Sequence, residues 1–147
     1  MDDLGFILDP AFAPGSVSLG GLGLCEVRLQ ADARWPWIVL VPRKTGAREL
    51  EHLTPADRAV LMEEIVAAGT AVRAIGAAFG RPVEKLNVGA LGNRVEQLHV
   101  HVVGRRADDP AWPDPVWGWG VTAPYPESQL DAAVEAGLTA LHGMKRK

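Results

Sequence analysis

The chain has 147 residues, 48% of them apolar and 22% charged, with a formal net charge of −3. That length supports one domain with a true hydrophobic core, and the composition excludes a disordered chain. The negative balance argues against a nucleic-acid-binding surface, although a bound nucleotide needs only a few local donors.

The opening MDDLGFILDP is acidic and lacks the basic region of a secretory signal. No apolar run approaches the roughly 20 residues of a membrane helix, so a soluble cytoplasmic protein with no membrane partner is expected. The single cysteine, Cys25, cannot form an internal disulfide and reads as a buried thiol.

In chain order, Leu4, Phe6, Ile7, Leu8 and Phe12 precede the stop at Pro14-Gly15, as a short helix or an arm packed on the body. Gly20, Gly21 and Gly23 punctuate the next stretch. Residues 22–30 alternate, with Cys25, Val27 and Leu29 on one side, which predicts a strand. Residues 37–41 are almost unbroken in apolar character and predict a second strand covered on both faces, joined to the first as an antiparallel hairpin. A long helix is predicted over 55–79, with Thr54 as N-cap, Pro55 in the first turn and Asp57 three residues after the cap. Its apolar stripe is Leu61, Ile65, Ala68, Val72, Ile75 and Phe79. Glu63 and Glu64 fall off that stripe, and Gly69 and Gly76 leave room for a sheet. Gly80-Arg81-Pro82 ends it.

A short strand is expected over 85–89, a turn at Leu91-Gly92-Asn93, and a strand over 95–103. In that strand Gln97, His99, His101 and Val103 share one face, opposite Leu98, Val100 and Val102. The Pro- and Trp-rich stretch from Pro110 cannot be a long regular element and is expected to wrap the body or a neighbouring subunit. A last helix is expected over 127–141. Nothing repeats, and no linker divides the chain.

The best candidate chemistry lies in His99 and His101, whose positions two residues apart on a strand are roughly 6 to 7 Å from each other. A neutral imidazole is a nucleophile near neutral pH, and a second one nearby can donate to a phosphoryl oxygen or leaving group. Gly89, Gly92 and Asn93 lie just upstream, where turn amides and a side-chain amide can cradle an anion. A metal site or simple hydrogen bonding remains open for the same pair. Zinc would need further ligands, and Asp108, Asp109, Cys25 and His142 have no diagnostic spacing.

The run Gln97-Leu-His99-Val-His101-Val-Val103 resembles the histidine triad of the HIT superfamily, His-φ-His-φ-His-φ-φ with φ apolar. The similarity extends over about residues 22–106, through the apolar strand ending at Pro42, the segment 49–53, the long helix and Asn87-Val-Gly89…Gly92. It implies an α+β fold, with an antiparallel sheet of about five strands, one long helix and a C-terminal helix, in a homodimer. The arm and the Trp-rich tail look like additions of a subgroup. The resemblance also implies a metal- and cofactor-free nucleotide hydrolase or nucleotidyl transferase. Its substrates would be nucleoside phosphoramidates, dinucleoside polyphosphates or related conjugates. His99 would attack the α-phosphorus to form a nucleotidyl-histidine, and His101 would contact the phosphate and assist the leaving group. Asn87 would take the phosphate-side position, Gly92 a backbone donor position, and Asp32 the ribose hydroxyls.

Three places depart from the pattern. Gln97 replaces the first histidine, although the backbone carbonyl that orients the nucleophile does not depend on that side chain. Pro36-Trp37 replaces the usual Gly-His, and Arg94 stands where Ser or Thr is common, near the phosphates or in solvent. Trp112, Trp117 and Trp119 either stack on a base or pack at the body or dimer interface. Arg105 and Arg106 either touch phosphate or face solvent. His52 and His142 are given no catalytic role. The competing reading is a nucleotide-binding or interaction module with little turnover.

Overall fold

Every residue of Trp37–Pro42 is buried, because this strand, β3, lies at the centre of a sheet covered on both sides. The computed structural model describes residues 3–143. Its five strands are β1 (Ser16–Gly21), β2 (Cys25–Gln30), β3, β4 (Lys85–Gly89) and β5 (Val100–Arg105), in the antiparallel order β1-β2-β3-β5-β4. Two helices, α1 (Pro55–Ala78) and α2 (Glu127–His142), complete the expected α+β architecture. Among the described residues, no helix is long and apolar enough to cross a membrane.

Strand alternation sorts the sheet into two cores. Cys25, Val27, Leu29, Ile38, Leu40, Val100 and Val102 face α1 and α2, where they meet Leu61, Ala68, Val72 and Ile75. Glycines make the approach possible. A Cβ on Gly69 would lie 2.9 Å from Leu86, and one on Gly104 would meet Val72 at 2.9 Å. The α1 start is as predicted, with Thr54 Oγ1 accepting from the Asp57 amide at 3.1 Å. On the opposite face Trp37, Val39, Val41 and Val103 are covered by Phe6, Leu8 and Phe12 of the arm and by Ala111, Val116 and Trp117 of the tail.

Several expectations are corrected. Residues 16–21 form a strand that the glycine-rich sequence concealed, and the 22–30 strand begins only at Cys25. The predicted 95–103 strand is paired only over Val100–Arg105. Upstream, the Leu98 amide donates to Ala47 O in the loop after β3, which takes the chain off the ladder before His99. Phe79 caps α1 instead of ending it. Glu64 is buried on the inner side of α1, and its two oxygens accept from the Leu24 and Cys25 amides at 2.8 and 2.9 Å. Periodicity placed it off the stripe because a carboxylate has no apolar signature.

Candidate active site

Antiparallel pairing puts opposed residues on one face. The register sets Val39, His101 and Gly89 in one row and Trp37, Val103 and Asn87 in the next. The arm and tail cover most of this face and leave a cleft of about 650 Å³ above the histidines. Its walls include Phe12, Asp32, Arg34, Trp37, Gly92, Asn93, Arg94, His99, His101, Trp117 and Trp119.

His99 is buried at the cleft wall, with Nδ1 2.7 Å from the carbonyl oxygen of Gln97. A carbonyl can only accept, so Nδ1 carries the proton and the Nε2 lone pair is free. His101 has the complementary tautomer. The Trp37 indole Nε1–H donates to its Nδ1 at 3.0 Å, which puts the ring proton on Nε2. Burial foremost, and then the neighbouring His99, push the His101 pKa down to about 4. The rings lie 4.9 Å apart, centroid to centroid. One imidazole thus offers a lone pair beside another that offers an N–H.

Of the other candidates, Asp32, Gly92, Asn93 and Arg94 line the same cleft. Gly92 has φ +69°, a turn geometry suited to glycine. Asp32 is almost fully buried, and its carboxylate accepts from the Arg34 Nε at 3.0 Å and Nη2 at 2.8 Å. Arg34 in turn donates Nη1–H to Trp119 O at 2.7 Å, so this pair fastens the tail over the cleft.

Asn87, Gly89 and Gln97 are not part of the cleft wall. Asn87 Oδ1 accepts from Arg105 at 2.8 Å. Arg105 neither touches the cleft nor meets solvent. Only 1% exposed, it forms a two-point ion pair with Asp109 at 2.8 and 3.0 Å. Burial works against the Asp109 carboxylate, but hydrogen bonds from Arg105 and the Arg106 amide hold its pKa at about 2. Gly89 lies beneath Trp117, whose ring a Cβ would meet at 3.2 Å. The Gln97 carboxamide points to the arm, accepting from the Asp9 amide at 2.8 Å and donating to Ile7 O at 2.9 Å.

The tryptophans divide. Trp117 and Trp119 line the cleft, whereas Trp112 lies outside it, over the Arg105 guanidinium. Cys25 faces α1, and His142 Nε2–H donates to Leu19 O of β1 at 3.0 Å, away from the cleft wall. Among the described residues, no three His, Cys, Asp or Glu side chains are arranged to hold a metal. Sequence reasoning missed Trp37 and Phe12 as neighbours of the histidines. The signal for Trp37 was available, since it is a diagonal neighbour of His101 across the β3–β5 ladder. Phe12 left no such trace.

The sheet order and the paired histidines on β5 and its approach define a histidine-triad fold. The HIT domain family matches residues 16–108, and the chain belongs to it. Comparison with curated proteins gave no match. Among solved structures, a histidine triad (HIT) protein from Sinorhizobium meliloti 1021 is 42% identical with a TM-score of 0.83, over 93% of this chain and 98% of that one. A histidine triad protein from Marinobacter aquaeolei VT8 is 38% identical with a TM-score of 0.84, over 95% and 98%. One from Bradyrhizobium japonicum is 34% identical with a TM-score of 0.83, over 92% and 98%.

Proposed function

We propose that this chain is a metal- and cofactor-independent nucleotide hydrolase or nucleotidyl transferase working through a covalent intermediate on His99. Its substrates are nucleoside phosphoramidates, dinucleoside polyphosphates or related nucleotide conjugates. The observation that carries this reading is the 2.7 Å contact of His99 Nδ1 with Gln97 O. It frees Nε2 for attack and keeps an acceptor against the ring as positive charge develops.

In the first step the Nε2 lone pair forms a bond to the α-phosphorus, and the bond from phosphorus to the leaving group breaks with its electron pair. The leaving group takes up a proton from solvent water, and the water that later attacks phosphorus returns one to solvent. His101 Nε2–H, held in that tautomer by Trp37, donates a hydrogen bond to a phosphoryl oxygen. Water or another acceptor then attacks phosphorus, the N–P bond breaks, and His99 regains its lone pair. Gly92, Asn93 and Arg94 form the anion side of the cleft, and Asp32 the ribose side. Asn87 and Gly89 support the phosphate side from beneath, through Arg105 and Trp117.

Gln97 in the first triad position marks a subgroup in this reading, and residues 1–147 form one HIT-like domain with an added arm and tail. The proposed homodimer joins copies at the open β4 edge, where Val88 is an exposed apolar side chain. A Val88→Lys chain sedimenting at the wild-type mass would refute that edge.

The test is mass spectrometry after brief, acid-free quenching with adenosine phosphoramidate or a dinucleoside polyphosphate, beside His99→Ala. A nucleotidyl adduct on His99, absent from the variant, is expected. No adduct and no turnover, with calorimetric nucleotide binding retained, would establish the binding module instead.

A further inference from the structure

Gln97 occupies the one triad position where this chain has no histidine, and both ends of its side-chain carboxamide are engaged. The carboxamide accepts from the Asp9 amide at 2.8 Å and donates to Ile7 O at 2.9 Å, as a neighbouring strand's peptide group would. An imidazole has its two nitrogens on diverging edges and cannot satisfy both groups at once, whereas a carboxamide presents acceptor and donor side by side. The arm held this way leads directly into the site. Asp9 caps the turn Pro10–Phe12, with Oδ1 accepting from the Ala11 amide at 2.9 Å and its carbonyl from the Phe12 amide at 3.1 Å. Phe12 then meets His99 edge-to-face, with ring centroids 5.0 Å apart and planes at 79°.

We propose that Gln97 is a positioning residue that orients His99 twice, through its backbone carbonyl and, by clamping the arm, through the Phe12 ring. The carbonyl fixes one edge of the imidazole, and Phe12 restricts rotation of the ring about that bond. The arm is then a working wall of the active site, and the replacement of the first histidine is what recruits it. The catalytic half of this inference rests on the covalent mechanism proposed above, but the ring-positioning half does not.

The full chain carrying Gln97→Ala, Gln97→Glu, Phe12→Ala or the Gln97→Ala/Phe12→Ala pair tests it. In single-turnover reactions with adenosine phosphoramidate, each single alanine variant is expected to slow adduct formation roughly ten- to hundredfold, and Gln97→Ala, whose side chain lies off the cleft wall, does so by a fall in rate larger than its loss of affinity. The double variant is expected to be no slower than the worse single one, because both act through one chain of contacts. Gln97→Glu keeps the acceptor and loses the donor, so it falls between wild type and alanine. Fully additive losses, or a wild-type rate in Gln97→Ala, would overturn the proposal.

Nuclear magnetic resonance of the His99 ring gives a readout independent of activity. The ring-current shift from Phe12 should vanish in Phe12→Ala and also in Gln97→Ala, together with hydrogen-exchange protection of the Asp9 amide. An unchanged His99 signal in Gln97→Ala would refute the clamp. If wild type formed no adduct, the hydrolase reading and the catalytic half would fall, while these spectra would still decide the clamp.

Discussion

The Trp37 indole nitrogen lies 3.0 Å from His101 Nδ1, so a residue on the central strand decides which nitrogen of a neighbouring histidine carries the proton. Trp37→Phe keeps the aromatic packing and removes only the donor. Both tautomers of His101 then become accessible, and the one with its lone pair toward the phosphoryl oxygen repels it. A fall in kcat of roughly tenfold with little change in KM is expected, within the range of single hydrogen-bond donors at such sites. Imidazole nitrogen shifts showing a tautomer mixture only in the variant would check the cause.

The depressed pKa of His101 sets a pH dependence with a definite sign. Burial foremost keeps it neutral to about pH 4, against 6.5 in the open chain. Between those values the unfolded chain binds a proton that the folded one refuses, so stability falls as pH drops from 6.5 toward 4. The loss amounts to at most ~3 kcal/mol. Urea midpoints at pH 7 and pH 4.5 are expected to differ more in wild type than in His101→Gln. Equal differences would show that His101 is not the group responsible.

Glu64 closes the β1–β2 turn from the helix, accepting from two consecutive buried amides at 2.8 and 2.9 Å. Glu64→Ala strands both donors and is expected to cost about 2 to 4 kcal/mol in chemical denaturation. Glu64→Gln retains one acceptor and should cost about half as much. Exchange of the Leu24 and Cys25 amides should quicken in both variants, more in alanine.

Arg105 and Asp109 form a buried ion pair beneath the tail. Arg105→Met leaves the Asp109 carboxylate uncompensated and is expected to cost about 3 to 5 kcal/mol. Adding Asp109→Leu removes the stranded charge and should recover much of that loss, although Asp109 also accepts from the Ala111 and Trp112 amides. Thermal midpoints of the two singles and the double form the cycle that measures this coupling.

Much of this architecture was readable from pattern. The α1 stripe and cap, the doubly apolar β3, the β4 bounds and the histidine pair all carry periodicity or local chemistry that survives folding. What escaped has another origin. β1 is short and glycine-rich, so alternation could not announce it. Strand β5 begins late because Leu98 pairs with Ala47, a contact between residues distant in sequence. Polar partnerships such as Glu64 with a turn, Arg105 with Asp109 and Asn87, and Gln97 with the arm depend on three-dimensional neighbours and have no period. The cleft was therefore legible at His99, His101 and the loop Gly92–Arg94. Its roof was legible only in part, since Trp117 and Trp119 stood among the tail tryptophans that either stack on a base or pack, whereas Phe12 left no trace.

The span shared with the HIT family, residues 16–108, holds both histidines and the whole sheet, yet Phe12, Trp117 and Trp119 lie outside it. The reactive floor and the enclosing roof are thus encoded in separate stretches of sequence. Changes in the flanking stretches can alter what enters the cleft and how the two imidazoles are held, without altering a residue of the sheet. A protein trimmed to the shared span would expose Trp37, Val39 and Val103 to water and would also lose α2 and the Asp109 partner of buried Arg105, so selectivity, solubility and stability would go together.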